Sequence, residues 1–320
     1  MSVGFSRVAV CLPATFEPVD DVLARVGRGA PERKMFTKVY GLHQSPTLAP
    51  GEQMEDLLAQ VGQKALDGGS AELVLYGHTL LTQEFGLRGG FPDRLREQLG
   101  LPGVPFYGVS HINCTSVLRS VEFARSFLSR PGAGPRERVL VLGGDHGSIN
   151  DHSRYMPGMT VGGDGAAGLL VHSDAADPGT RYRYLGGAAG RDARFHRNLL
   201  MSQAEAALFG QVCAEQTVET VRRAAAAADL TLDQLDWVMP HLSNRMFWRS
   251  FSRTSGIPRE RICVDLIPDQ GHNFGTDALM ALEHADRTGQ LRPGDHCVLV
   301  SLGQGAYFQA IVVEVVEDSP

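Results

Sequence analysis

One cysteine stands where the chain changes from a strand-like run to a helix-like stretch. Cys114 lies in Gly108-Val-Ser-His-Ile-Asn-Cys-Thr-Ser116, between an apolar run at 105–109 and an amphipathic stretch at 115–129. Backbone N–H groups and the positive end of a helix stabilise a thiolate at such a position. A thiolate there can attack a thioester and hold the acyl group as a new thioester. Cys114 is therefore a candidate nucleophile, and a buried structural cysteine is the alternative.

A second polar motif combines a histidine and an aspartate in Gly271-His-Asn-Phe-Gly-Thr-Asp277. Its glycines permit a tight turn, and a helix predicted to begin near Gly275 has Asp277 in its first turn. An aspartate five residues after a histidine can fold back and accept the imidazole N–H. The other nitrogen of His272 would then face Cys114. A carboxylate that only favours the helix dipole is the alternative.

Two further segments follow predicted strands. In Met239-Pro-His-Leu-Ser-Asn244, His241 stands where side chains commonly project into an α/β site. In Leu302-Gly-Gln-Gly-Ala306, a glycine loop between strands can aim a backbone N–H at a developing oxyanion. Neither this loop nor the glycine-rich 161–168 has the spacing of a phosphate loop, so nucleotide binding has little support. The cluster His146, Asp151 and His152 lacks helical spacing or thiolates, and no metal is predicted there.

Apolar runs alternate with amphipathic stretches throughout, which is typical of an α/β protein with a buried sheet. Strands are predicted at 7–12, 72–76, 105–109, 138–143, 168–172, 182–185, 237–239, 262–266, 297–302 and 306–315. Helices are predicted at 51–67, 93–99, 115–129, 202–228, 245–255 and 275–288. The order strand, turn, helix, strand recurs around Cys114 and around His272, which indicates a duplicated fold. The breaker Asp177-Pro-Gly-Thr180 places the boundary, giving a nucleophile half at 1–176 and a His/Asp half at 177–320.

The composition excludes several classes of protein. The chain has 320 residues and a formal net charge of −6, so no basic field attracts nucleic acid or anionic lipid. The longest apolar runs are strand-sized, and the first residues lack the features of a secretory signal. The five cysteines have no CxxC spacing and indicate reduced thiols. We expect a cytoplasmic protein that binds neither nucleic acid nor a membrane.

The order of these motifs resembles ketoacyl-acyl-carrier-protein synthase III of the thiolase superfamily. The shared order is a cysteine at a strand–helix turn, GDGA, PHxxN, a glycine-rich turn and a GxG hairpin, between about Val8 and Glu314. The resemblance implies a thiolase-like fold with duplicated βα halves in five αβαβα layers, and a homodimer. It also implies that Cys114 accepts the acyl group, that the Cys114 and Gly305 N–H groups form the oxyanion hole, and that Asp164 is structural.

One position departs from the condensing members of that family, which use an asparagine in a GN turn beside the histidine of PHxxN. Aligning Gly271 without a gap puts His272, rather than Asn273, at that position. The GHxFGxD form is similar to a sub-group of antibiotic and polyketide pathways that uses Cys or Ser with His and Asp. A shift of one residue would instead make Asn273 the family asparagine and restore the condensing triad.

The expected function is acyl transfer from a coenzyme A or acyl-carrier-protein thioester, through Cys114, to a carrier protein, hydroxyl or starter-unit site. His272, held by Asp277, assists Cys114, and His241 assists or lines the pocket. No cofactor is expected beyond the phosphopantetheine of the substrate. The alternatives are decarboxylative condensation with a malonyl thioester and a non-catalytic subunit of a synthase complex. The presence of Cys114 argues against the second alternative.

Four further residues are candidates for contacts to substrate or pantetheine. Asn244 and Asn273 belong to the two histidine motifs. Arg245 and Arg249 recur at four-residue spacing on one predicted helix face, together with Arg253. This face would bind an acidic carrier protein or a pantetheine phosphate, and a solvated face is the alternative.

Overall fold

The computed structural model describes residues 3–80, 90–173, 177–197 and 200–317. Its helices are α1 (Val19–Arg25), α2 (Ala30–Lys34), α3 (Met54–Leu66), α4 (Phe91–Gln98), α5 (Ser116–Leu128), α6 (Asp151–Arg154), α7 (Gln203–Ala227), α8 (Arg245–Ser255) and α9 (Asp277–Arg287). A π-helical turn, Met35–Tyr40, follows α2. Its strands are β1 (Gly4–Phe5), β2 (Ala9–Cys11), β3 (Phe16–Pro18), β4 (Gln44–Pro46), β5 (Leu73–Gly77), β6 (Phe106–Val109), β7 (Arg138–His146), β8 (Tyr155–Met156), β9 (Thr160–Val161), β10 (Asp164–His172), β11 (Tyr182–Arg191), β12 (Trp237–Met239), β13 (His296–Gly303) and β14 (Tyr307–Val315).

The main sheet has two groups of strands joined by one short strand. Its order is β12-β13-β14-β11-β1-β10-β7-β5-β6, and β2 also pairs with β10. The strand β1 pairs with both β10 and β11, so it links the N-terminal group to the C-terminal group. The pairs β5–β6, β5–β7 and β12–β13 are parallel, and the long pairs β7–β10, β11–β14 and β13–β14 are antiparallel.

Helices cover both faces of each group of strands. The outer helix α3 buries its apolar face against β7 and β10, which explains why every residue of β10 is buried, and α4 packs beside α3 with Phe91 against Tyr76 of β5 and Phe106 of β6. The helices α5 and α9 lie between the two groups and share one core with them. The helices α7 and α8 cover the outer face of β11–β14. The layers thus alternate helix, sheet, helix, sheet, helix, as expected from the sequence.

The structure corrects parts of the predicted secondary structure. The predicted strand 262–266 is wrong, because only Ile262 forms a single bridge, to Val238, before the chain turns. The helices α1 and α2 were not predicted, because they have only 7 and 5 residues and show little apolar periodicity. The predicted boundary at 176/177 falls at residues 174–176, outside the described residues, and the division into two halves stays a prediction.

The described part of the chain contains no helix that is both long enough and apolar enough to span a membrane.

Candidate active site

Cys114 lies in a tight turn that leads into α5. The turn is a 3-10 helix, Asn113–Thr115, and Cys114 is buried. His111 and Asn113 adopt left-handed backbone conformations, with φ of 65° and 52°. Asparagine tolerates this region better than most residues do, so the sequence favours the turn. The result is a thiol placed at the positive end of α5, where no side chain caps the helix.

The His272 turn, which leads into α9, resembles the Cys114 turn in its backbone conformation. Gly271 and Phe274 have left-handed φ values of 58° and 54°. A 3-10 turn, Phe274–Thr276, then leads into α9, of which Asp277 is the first residue. His272, Asn273 and Asp277 are each at most 1% exposed. Burial at this level means that their polar atoms must find partners inside the protein.

A chain of contacts joins the cysteine to the aspartate. Cys114 Sγ lies 3.7 Å from His272 Nε2, and His272 Nδ1 lies 2.6 Å from Asp277 Oδ2. The carboxylate is itself fixed, because it accepts the backbone N–H of Asn273 at 2.6 Å and that of Leu242 at 2.7 Å. These bonds orient the imidazole of His272 with Nε2 toward the thiol, which is the geometry of a Cys–His–Asp triad.

His241 is a second histidine on the same carboxylate. Its Nδ1 lies 3.4 Å from Asp277 Oδ2, outside good hydrogen-bond geometry. The rings of His241 and His272 have centroids 4.4 Å apart at an interplanar angle of 68°. The backbone of His241 is held because its carbonyl accepts the indole N–H of Trp248 at 2.6 Å. Two imidazoles therefore lie beside one carboxylate, and only that of His272 is hydrogen-bonded to it.

The two histidines have opposite electrostatic environments. Burial and, to a smaller extent, the neighbouring His272 lower the pKa of His241 to about 3, against a smaller opposing effect of Asp277. Burial also lowers the pKa of His272, but the Asp277 carboxylate and the Cys114 thiol outweigh burial and raise it to about 10. Titratable neighbours whose pKa values are driven apart in this way serve different acid–base roles in enzymes.

Asn273 points away from the thiol. Its amide N–H₂ bonds to the carbonyls of Gln270 and Gly271, at 3.1 and 3.4 Å. A Cβ on Gly165 would lie 3.1 Å from its side-chain oxygen, so the amide packs against β10. The structure therefore places His272, and not Asn273, next to Cys114.

The turn between β13 and β14 packs on the Cys114 turn. The Asn113 side-chain amide donates to the Gln304 carbonyl at 2.6 Å, and the Ser301 hydroxyl donates to the Cys114 carbonyl. A Cβ on Gly303 would lie 2.5 Å from the Ile112 carbonyl oxygen, so only glycine allows this approach. Gly305, with φ of 82°, lies in the same turn. Sequence reasoning did not identify Ser301, which carries no motif.

A small cavity opens beside Cys114. Its volume is about 80 Å³. Its lining residues are Cys114, Met156, Met159, Thr160, Phe209, Cys213, His241, Ser243, Asn244, Phe247, Leu302, Gly303 and Gln304. The sequence predicted Cys114, His241 and Asn244 here but missed the apolar wall, because Phe209 and Cys213 lie on α7, far away in the chain. Burial raises the pKa of the Cys213 thiol to about 12, so this cysteine lines the cavity as an uncharged side chain.

The predicted contact residues lie in two places. Asn244 caps α8, since its side-chain oxygen accepts the Phe247 N–H at 2.8 Å and its amide donates to the Met159 carbonyl at 3.0 Å. Both of its polar ends are thus used by the protein. Arg245 and Arg249 line a separate groove of about 210 Å³ with Trp248, Arg259, Ile262 and Val264.

Two buried aspartates support the surrounding turns. Asp164 accepts the backbone N–H of Leu48 at 2.7 Å and that of Ser148 at 2.8 Å, as a structural residue of the GDGA turn would. Asp145, which sequence reasoning missed, accepts the N–H groups of Thr79 and Leu80 at 2.8 and 2.7 Å. Burial raises the pKa of Asp145 to about 7 although these bonds lower it. Both residues hold backbone segments around the site.

Comparisons with known proteins agree with this architecture. The model of the family "3-Oxoacyl-[acyl-carrier-protein (ACP)] synthase III C terminal" matches residues 225–315. A beta-ketoacyl-[acyl-carrier-protein] synthase III of Dinoroseobacter shibae is 26% identical over 291 residues, covering 85% of this chain and 87% of that protein.

Solved structures share the fold at low sequence identity. The acyltransferase ChlB3 superposes with a TM-score of 0.83 at 19% identity, covering 100% of this chain and 99% of the other. The 3-oxoacyl-[acyl-carrier-protein] synthase III of Aquifex aeolicus VF5 has a TM-score of 0.80 at 18% identity, covering 98% and 99%. The predicted thiolase-like α/β fold is confirmed, and the chain is similar to ketoacyl synthase III over most of its length.

Proposed function

We propose that the protein is a ketoacyl synthase III-like acyltransferase that carries its acyl group as a thioester on Cys114. The observation that carries the proposal is the unbroken contact from Cys114 Sγ through His272 to Asp277, at 3.7 and 2.6 Å. A nucleophile within reach of a base that a third group orients is the signature of covalent catalysis. His272 contacts the thiol, whereas the amide of Asn273 bonds to the carbonyls of Gln270 and Gly271, which supports simple acyl transfer.

In the first half-reaction the protein takes the acyl group. The Cys114 proton moves to His272 Nε2, and the thiolate attacks the thioester carbonyl carbon. The N–H groups of Cys114 and Gly305 stabilise the tetrahedral oxyanion. The bond to the pantetheine sulfur then breaks, and His272 returns the proton to the leaving thiol. Asp277 stabilises the imidazolium throughout because it bonds to Nδ1.

In the second half-reaction the acyl group passes to the acceptor. A hydroxyl or thiol of the acceptor gives its proton to an imidazole and attacks the acyl carbon, and the Cys114 thiolate leaves. His272 is the base in this step. His241 lines the cavity with a depressed pKa, so it stays neutral and assists by orienting the acceptor. Asp277 keeps the His272 ring in place, and Trp248 holds the backbone of His241.

The partner that we propose is an acyl carrier protein or the phosphate of coenzyme A. Arg245, Arg249 and Arg259 line one groove beside α8, and no acid forms an ion pair with any of them among the described residues. Arginine clusters of this kind bind phosphate and carboxylate groups. The names of the similar synthases include an acyl carrier protein, which supports the same partner. Polyketide or antibiotic biosynthesis in the cytoplasm is the setting that we propose, and the five free thiols fit a reducing compartment.

A homodimer through the edge of the sheet completes the proposal. The strand β6 ends the strand order and leads directly into the Cys114 turn. Tyr107 on this strand is 62% exposed, which is unusual for a large aromatic side chain. An exposed strand edge is a template for pairing with another chain. A second copy would cover it.

Product analysis tests acyl transfer against the alternatives. The protein is incubated with an acyl-CoA, a carrier protein and a malonyl thioester labelled in its free carboxyl group. We expect acyl-carrier protein without labelled carbon dioxide. Label released in step with product would show decarboxylative condensation, and the absence of any transfer across a panel of thioesters and acceptors would favour a non-catalytic subunit. Cys114→Ala is the matched control, because it keeps the fold and removes only the thiol.

A further inference from the structure

The reactive atoms of the site also form an arrangement that binds metal ions. One ligand atom each from Cys114, His241 and His272 lie within 4.8 Å of one another, and all three residues are buried. A tetrahedral zinc ion with Zn–S of about 2.3 Å and Zn–N of about 2.0–2.1 Å holds its S and N ligands roughly 3.6 Å apart. The distance from Cys114 Sγ to His272 Nε2 is 3.7 Å, so this pair already has the required spacing.

The atoms behind the two imidazoles match the surroundings of natural zinc ligands. A histidine that binds zinc donates its other ring N–H to a carboxylate or carbonyl, which fixes the tautomer. Here Asp277 Oδ2 lies 2.6 Å from Nδ1 of His272 and 3.4 Å from Nδ1 of His241. The Nδ1 atoms of both rings therefore lie near one carboxylate, Nε2 of His272 faces the thiol, and a ring nitrogen of His241 lies within 4.8 Å of both of the other ligand atoms.

The site also offers room for a fourth ligand. The cavity of about 80 Å³ is lined by both Cys114 and His241, and it can hold a water molecule beside a bound ion. Three protein ligands with one open position are typical of zinc sites that exchange their ligands. Thiolate and imidazole together select zinc and copper over magnesium, calcium and manganese.

We propose that Cys114, His241 and His272 bind one Zn²⁺ ion reversibly and that the bound ion blocks acyl transfer. Binding forms one S–Zn bond and two N–Zn bonds, and the proton of the cysteine–histidine pair is released to solvent. The electron pair that attacks the thioester is then held by the metal. The inhibition, though not the metal binding, rests on the proposed function.

Zinc binding is measured without substrate, by calorimetry on the metal-stripped full-length protein. We expect one Zn²⁺ per chain and no binding of Mg²⁺. Cys114→Ser and His241→Gln each remove a ligand and should weaken binding by at least about 100-fold, and Asp277→Asn should weaken it by roughly 10- to 100-fold. Cys11→Ser is the control, because Cys11 is a partly exposed thiol outside the cluster and its loss should leave affinity unchanged.

The absorption spectrum of bound Co²⁺ is a second measurement, and it tests the site even where a variant folds poorly. Co²⁺ added to the native protein should give the absorption band of a thiolate-to-cobalt bond, which Cys114→Ser should lack and Cys11→Ser should keep. Zinc affinity that survives both Cys114→Ser and His241→Gln would show a surface site and overturn the proposal, as would no binding to the native protein. Zinc binding to a protein that forms no acyl-enzyme would uphold the metal site and refute the proposed function, so the two fail separately.

Discussion

The turns at the starts of α5 and α9 are built alike but carry opposite charges. Each has a left-handed residue, a 3-10 turn and then a helix whose first residues are buried. The first turn of α5 contains no acid, so its positive end faces the Cys114 thiol alone. The first residue of α9 is Asp277, which bonds to His272. The turn before α5 places a thiol at the positive end of a helix, and the turn before α9 supplies a carboxylate that is hydrogen-bonded to an imidazole.

A close contact between the two turns sets the distance between thiol and imidazole. A Cβ on Gly275 would lie 2.7 Å from a methyl group of Val117 and 3.2 Å from the Cys114 carbonyl oxygen. The 3-10 turn before α9 therefore packs directly on the start of α5, because Gly275 has no side chain that would hold them apart. The chemistry therefore depends on the positive end of α5, on the Asp277 carboxylate and on the contact between Gly275 and Val117. Each of the three can be altered separately.

Removing the imidazole should have the largest effect of the substitutions in the His272 turn. His272→Gln keeps a polar side chain but leaves no base for Cys114, so we expect acyl transfer to fall roughly 10³- to 10⁴-fold. Loss of the histidine in a serine-protease triad costs about 10⁶-fold, and a thiol depends on its base less than a hydroxyl does. Single-turnover transfer to the acceptor measures it. If the His272→Gln protein is folded, as judged by circular dichroism, and keeps more than a tenth of native activity, His272 is not the base for Cys114.

Removing the negative charge of Asp277 while keeping the size of its side chain should have the next largest effect on acyl transfer. Asp277→Asn costs on the order of 10⁴-fold in serine-protease triads, and we expect roughly 10²- to 10³-fold here because a thiol ionises more easily. The rate of acyl-enzyme formation is the measurement. A near-native rate would mean that Asp277 only favours the helix dipole.

Disturbing the contact between the turns should have a smaller effect. Gly275→Ala puts a methyl group 2.7 Å from Val117, so we expect a loss of about 1–3 kcal/mol in unfolding free energy and of roughly tenfold in activity. Val117→Ala in the same chain removes that methyl neighbour and should restore most of both losses. If the double variant is no better than Gly275→Ala alone, the contact does not set the distance.

Asn273→Ala should have the smallest effect on transfer. Its amide bonds to the carbonyls of Gln270 and Gly271 and not to the thiol, so we expect less than about a tenfold loss. The measurement is the rate of acyl transfer by Asn273→Ala and by Asp277→Asn at equal concentrations of folded protein. An inactive Asn273→Ala beside an active Asp277→Asn would identify Asn273 as the residue of a condensing triad and refute the assignment of His272.

The sequence correctly predicted those site residues whose positions depend only on a short segment of the chain. Asp277 follows His272 closely enough to fold back in one turn, and Cys114 precedes a clear amphipathic helix, so both placements could be derived from short segments. The predicted strands 138–143 and 168–172 are too short, because β7 continues to His146 and β10 begins at Asp164. The five layers came from the resemblance, since no local pattern shows which faces of α5 and α9 meet.

The rest depends on distant parts of the chain. Phe209 and Cys213 reach the cavity because α7 packs across β11 and β14, and nothing in that long helix indicates a wall of the site. Ser301 bonds to the Cys114 carbonyl from a strand in the other group. Asn244 was expected to contact substrate, but its amide donates to the carbonyl of Met159, which is 85 residues away in the chain. Long-range packing decides such roles.

Intact-protein mass spectrometry after incubation with an acyl-CoA tests the central claim most directly. We expect the native chain to gain the mass of one acyl group, Cys114→Ala to gain none, and Cys11→Ser to behave like the native chain. Acid quenching preserves the thioester, and peptide mapping would place the group on Cys114. An acyl group that persists on Cys114→Ala would contradict the account, because the thiol at the start of α5 would then not be the nucleophile.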